Sequence, residues 1–137
     1  MRTKLLSLVF SGVLLAACQA AQPTGAEATA TFCADLRALG RSVAALENTT
    51  GAATVGEFQQ RTKAVEDSWN AVKESAKAVP QARTNDLETA TEDLQKTMNG
   101  LSKDASLTEA AREVAPKVQN VGQARQQVGS GARCATT

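Results

Sequence analysis

Residues 54–80 read TVGEFQQRTKAVEDSWNAVKESAKAVP. The seam positions are Val55, Phe58, Thr62, Val65, Trp69, Val72, Ala76 and Val79, spaced 3, 4, 3, 4, 3, 4, 3. An α-helix turns once in 3.6 residues, so this spacing puts all eight on one stripe and predicts an amphipathic helix. Thr54-x-x-Glu57 has the form of a capping box at its start. Pro80 ends it, because the ring clashes with a continuing helix and restrains Val79. At 1.5 Å per residue the expected helix is about 37 Å long.

The same spacing recurs on both sides. Upstream, Phe32, Leu36, Leu39, Val43 and Leu46 predict a helix from about Ala28 to Glu47, with Thr24-x-x-Glu27 or Thr31 as its cap. Gly40 lies inside it, at a cost of about 1 kcal/mol against Ala unless close packing needs it. The stretch 48–53, NTTGAA, is a turn. Downstream, Leu87, Ala90 or Thr91, Leu94, Met98 and Leu101 predict a third helix over about Asn85 to Leu101, with Asn85 and Glu88 offering a cap. Asn99-Gly100 signals its end. Ser106-x-x-Glu109 is another capping box. It opens a fourth seam of Leu107, Ala111, Val114, Val118, Val121, Ala124 and Val128. Pro116 should bend this helix or delay its start, and Gly129-Ser130-Gly131 should stop it.

No long apolar–polar alternation occurs, Ile is absent, and Ala, Gln, Glu, Lys and Arg fill most other places. The expected fold is therefore all-α: an up-down-up-down four-helix bundle with heptad-like seams. A 3.5-residue repeat implies crossing near 20° and a left-handed supercoil. From Cys18 onward only 20 of 120 residues are Leu, Val, Phe, Trp or Met. That core is thin, and Ala on the seams compensates by letting helices approach closely. Disordered chains share such poverty but add high net charge, and here 15 basic residues face 14 acidic ones.

The first 18 residues, MRTKLLSLVFSGVLLAAC, have a different composition. Arg2 and Lys4 precede an apolar run from Leu5 to Ala17, too short to span a bilayer and of the length of a signal-peptide core. Leu15-Ala16-Ala17-Cys18 resembles the lipobox of bacterial lipoproteins. The resemblance covers this segment alone. It implies that residues 1–17 are a cleaved signal peptide and that Cys18 carries a diacylglyceryl thioether, usually with an acylated amino group. Two or more acyl chains anchor stably where one does not. Gln19 stands where Asp favours inner-membrane retention in enterobacterial lipoproteins, which points to the outer membrane where the organism has one. Residues 18–27 then form the lipidated Cys and a short tether, and 28–137 the bundle.

With Cys18 assigned to lipid, Cys33 and Cys134 remain, an even number in an exported, oxidising compartment. They read as one disulfide; free thiols and an intermolecular bridge are the alternatives. A bundle with an even number of helices brings its two ends together, which suits that pairing. Closing a loop of about 100 residues contributes roughly 4–5 kcal/mol in the chain-entropy account.

Candidates for chemistry are few. The chain has no His and no Tyr, which excludes imidazole catalysis and His ligands. Loss of Arg2 and Lys4 leaves 13 basic against 14 acidic residues, with no basic excess for nucleic acid. Trp69 is the one Trp; it reads as a core anchor, with ligand stacking as the alternative. Met98 reads as core. Glu66-Asp67 and Glu92-Asp93 diverge by about 100° on a helix and cannot face one substrate. Glu57–Arg61, Glu92–Lys96 and Glu113–Lys117 read as surface i,i+4 pairs. Gln119, Gln123, Gln126 and Gln127 form a neutral polar face that could meet peptidoglycan or a protein. No cofactor, metal or calcium loop is expected. The expected function is a non-enzymatic, membrane-tethered lipoprotein of the bacterial cell envelope, acting as a structural or protein-interaction module. The alternative is a binding module that holds a small apolar ligand between its helices.

Overall fold

A computed structural model describes residues 24–49, 54–102 and 105–135. They form four helices, α1 (Gly25–Glu47), α2 (Val55–Ala76), α3 (Asn85–Gly100) and α4 (Leu107–Gly131), with no strand among the described residues. α1 lies along α2, α3 lies along α4, α1 also packs on α4, and α2 meets α3 more sparingly.

One core cluster runs through all four helices. Every predicted seam residue of α1 is buried, as are Phe58, Val65, Trp69, Val72 and Val79 of the second seam. On α3 the seam passes through Thr91 and not Ala90: Thr91 is 1% exposed, and its hydroxyl donates to the Leu87 carbonyl at 2.7 Å. That bond satisfies a polar atom which burial alone would penalise. Met98 is half-buried, packed against the core and not inside it. On α4 Val114, Val118, Val121, Ala124 and Val128 are buried, but at its start Ala110 is buried and Ala111 only partly so. The side chain of Val55 lies outside the described residues, as do residues 50–53 of the first turn.

Three helices start on capping boxes, at Thr24–Glu27, Thr54–Glu57 and Ser106–Glu109. In each, the cap hydroxyl accepts from the N3 amide while the N3 carboxylate accepts from the cap amide. α1 therefore begins at Gly25, not Ala28, and takes 25–27 from the expected tether. α3 corrects the proposed cap: Asn85 is its first helical residue, and Thr84 precedes it without a side-chain cap bond.

One helix end also differs from expectation. α2 stops at Ala76, because the chain tightens into i→i+3 bonds at Lys77, Ala78 and Val79 before Pro80. Ala82 then donates to the Val79 carbonyl at 2.9 Å, closing a turn with Pro80 at its second position. Val79 stays buried although it has left the helix. α4 does not start late at Pro116, and it ends at Gly131, within the expected stop at Gly129-Ser130-Gly131. Pro116 and Arg112 are both exposed, so the carbonyl that the missing N–H leaves unpaired lies on the solvent side. The turn after Gly131 places Arg133 in the left-handed region at φ 58°. There Arg133 donates to Ser130 at 3.1 Å and Cys134 to Gly129 at 2.8 Å, the paired bonds of a Schellman motif.

Gly40 has a packing reason. A Cβ built there would lie 2.9 Å from Cζ of Arg125, so the guanidinium of α4 rests on the α1 backbone.

Candidate functional site

Cys33 and Cys134 are joined by a disulfide with Cα atoms 5.4 Å apart. Cys33 sits on the buried face of α1, two turns after its start. Cys134 is brought there by the Schellman turn, in which a Cβ on Gly129 would stand 3.9 Å from that of Cys134. The bridge thus ties α1 to the end of α4. Cys18, the predicted lipidation site, and the whole of 1–23 lie outside the described residues.

Trp69 is 3% exposed and belongs to the core cluster. The Nζ of the exposed Lys73, one turn on, lies 5.8 Å from its ring centroid, a cation–π arrangement. A ligand stacked on this indole would have to part packed helices.

Hollows open to solvent lie elsewhere. One, of about 340 Å³, has a floor of Leu46, Phe58, Val114 and Val118 and a rim that includes Glu47 and Gln119. A wider one, of about 580 Å³, lies between the turn at Pro80–Asp86 and Gln127 and Gly131 of α4. A third, of about 270 Å³, flanks the disulfide and is lined by Arg37, Arg125, Gln126 and Ser130. Sequence reasoning did not single out these arginines. An interior Gly40 signalled a close approach, but its position in the chain does not name the group that approaches.

None of the three expected i,i+4 pairs closes as an ion pair among the described residues, and members of two of them have other partners. Glu57 is engaged by its cap, while Arg61 donates to the Ala45 carbonyl across the α1–α2 interface. Lys117 turns from Glu113 towards Asp93 of α3, at 4.0 Å. Lys63–Asp67 and Lys77–Glu74 are exposed pairs of little energetic weight. Ser42 and Ser68 share a 2.8 Å hydrogen bond between α1 and α2. Glu66 and Asp67 are exposed. The carboxyls of Glu27, Glu57 and Glu109 are held below the usual glutamate range. The main cause in each is the backbone N–H of the cap residue, then its hydroxyl. Lys63 is pushed up by its hydrogen bond to Asp67.

Gln119, Gln123, Gln126 and Gln127 are all exposed: Gln119 lines the hollow at Leu46, Gln126 the one beside the disulfide, and Gln123 and Gln127 share a shallow one between α3 and α4. Among the described residues no group of three Cys, Asp or Glu side chains could hold a metal ion, and no helix is long and apolar enough to cross a membrane. The chain matches no known family model, no curated protein and no solved structure.

Proposed function

We propose that this chain is a non-enzymatic lipoprotein of the bacterial cell envelope, anchored through acylated Cys18 on the extracytoplasmic side, whose helical domain is a structural or protein-interaction module. The observation that carries the reading is the box Leu15-Ala16-Ala17-Cys18 behind a basic start and an apolar run of signal-peptide length. The Cys33–Cys134 disulfide supports it, because such bridges persist in oxidising compartments. The tether then runs from Cys18 to the first helix at Gly25. The helices follow one another up, down, up and down with heptad-like seams; the disulfide between the start of α1 and the end of α4 supports that order. Gln19 favours the outer membrane where one exists. The partner is an envelope protein or peptidoglycan, met by polar helix faces such as the α4 glutamines.

A second reading, a module for a small apolar ligand, has one observation in its favour: the apolar floor of the hollow at Leu46, Phe58, Val114 and Val118. The site would then be this hollow and not Trp69.

Metabolic labelling with palmitate tests the anchor. The wild-type chain should be labelled, and Cys18→Ser should lose the label and accumulate unprocessed or released. Continued labelling of Cys18→Ser would refute the lipoprotein assignment. Affinity capture from envelope extract, repeated with a charge-reversed helix face, tests the module.

A further inference from the structure

We propose that the hollow beside the disulfide, between Arg37 of α1 and Arg125 of α4, is an oxyanion site that takes a phosphate group. Two cationic side chains line it, and no Asp or Glu is among the described lining residues. Arg125 makes no ion pair among the described residues, and its Nε is buried without a hydrogen-bond partner. An unpaired buried donor leaves the Arg125 cation under-compensated, and an oxyanion at the rest of its guanidinium would offset that charge. α4 offers no internal relief, because the chain carries no acidic residue after Glu113. On α1, Asp35 lies two positions from Arg37, on the other side of the helix.

The geometry is held in place from both sides. Gly40 lets the Arg125 guanidinium rest against the α1 backbone, with Cζ, Nε and Nη1 within 3.1 Å of where a Cβ would be. Arg37 donates from Nε to the Cys33 carbonyl at 3.3 Å, which draws its head back over the hollow and the disulfide. Gln126 and Ser130 add neutral donors at the rim. Planar guanidinium groups with parallel N–H donors match the oxygens of a phosphate. The phosphate can come from solution or from a lipid headgroup. The headgroup source rests on the anchor reading, since the hollow lies only about two helical turns above the start of α1.

The test uses the isotope-labelled full chain in a non-ionic detergent, with the amides of Gly40 and Ser130 as reporters. Inorganic phosphate and water-soluble, short-chain phosphatidylglycerol are titrated separately at fixed ionic strength. Saturation by inorganic phosphate identifies a free-phosphate site; saturation by the phospholipid alone identifies a headgroup site. In either case Arg125→Gln and Arg37→Gln should weaken binding about tenfold or more, and Arg112→Gln, on an exposed face of α4, should not. Gly40→Ala displaces only the flexible end of Arg125, so it should stay folded and still weaken binding. Absence of saturation by both probes, or equal weakening in Arg112→Gln, would overturn the site. Palmitate labelling is independent of these readouts, so a failed anchor and a failed phosphate site are distinguishable.

Discussion

Two residues show how local chemistry and tertiary demand combine. Trp69 fills the middle of the α2 seam, and no small side chain could replace its volume. Trp69→Ala should cost roughly 3–5 kcal/mol, a large share of the stability of a domain this small. The wild-type emission should be blue-shifted and resist iodide quenching. A cooperative, stably folded Trp69→Ala protein beside a quenchable wild type would contradict the core assignment. Arg133 is the opposite case, an L-residue held at φ 58° because the Schellman turn must deliver Cys134 to Cys33. Glycine reaches that region without steric penalty, so Arg133→Gly should stabilise the fold by about 1 kcal/mol. Thermal melting would register it as a rise of several degrees; a fall would mean that the Arg133 side chain makes a contribution of its own.

At the scale of the elements, the capping boxes tie helix formation to pH. In the folded chain Glu27, Glu57 and Glu109 hold their protons less tightly than in the unfolded chain. The unfolded state therefore takes up protons first as pH falls. The contribution of the boxes is complete above the ordinary glutamate range and is lost as pH drops through it towards the lowered folded values. The melting temperature should decline across that interval. The triple variant Glu27→Gln, Glu57→Gln and Glu109→Gln should flatten the decline, because Gln keeps a capping oxygen without the titrating charge. An unchanged acid profile in that variant would assign the effect to other carboxylates. Both α1 and α2 were legible as helices from their seams, yet the end of α2 was not. The periodic pattern continues to Val79, and burial of Val79 is met equally well by a tight turn as by a helix.

Across the whole molecule, α1 with α2 and α3 with α4 are the closely packed pairs, and the disulfide crosses between them on the α1–α4 side. Reduction should lower the melting temperature substantially, in line with a loop-closure contribution of roughly 4–5 kcal/mol. Cys33→Ala with Cys134→Ala should behave like the reduced protein. Two titratable thiols in the untreated oxidised protein would show that the bridge does not form. The Gly40–Arg125 contact belongs to this same interface, and it is where the two arginines meet the disulfide.

The helical class, the four seams, three of the four caps and the stop of α4 at Gly131 were legible in the sequence. Each depends on residues within a few positions of one another, and hydrophobic spacing reports directly on one helical face. With Cys18 proposed as the lipid site, the sequence also pointed to Cys33 and Cys134 as a pair, and they are joined. Tertiary packing settled what spacing could not: that the turn after α4 carries a left-handed Arg133 to the disulfide, that Lys117 lies by Asp93 and not Glu113, and that Gly40 receives Arg125. Those choices are made between groups far apart in the chain. Local propensity ranks what a residue can do, whereas packing and the closing of a disulfide select which of those options is realised.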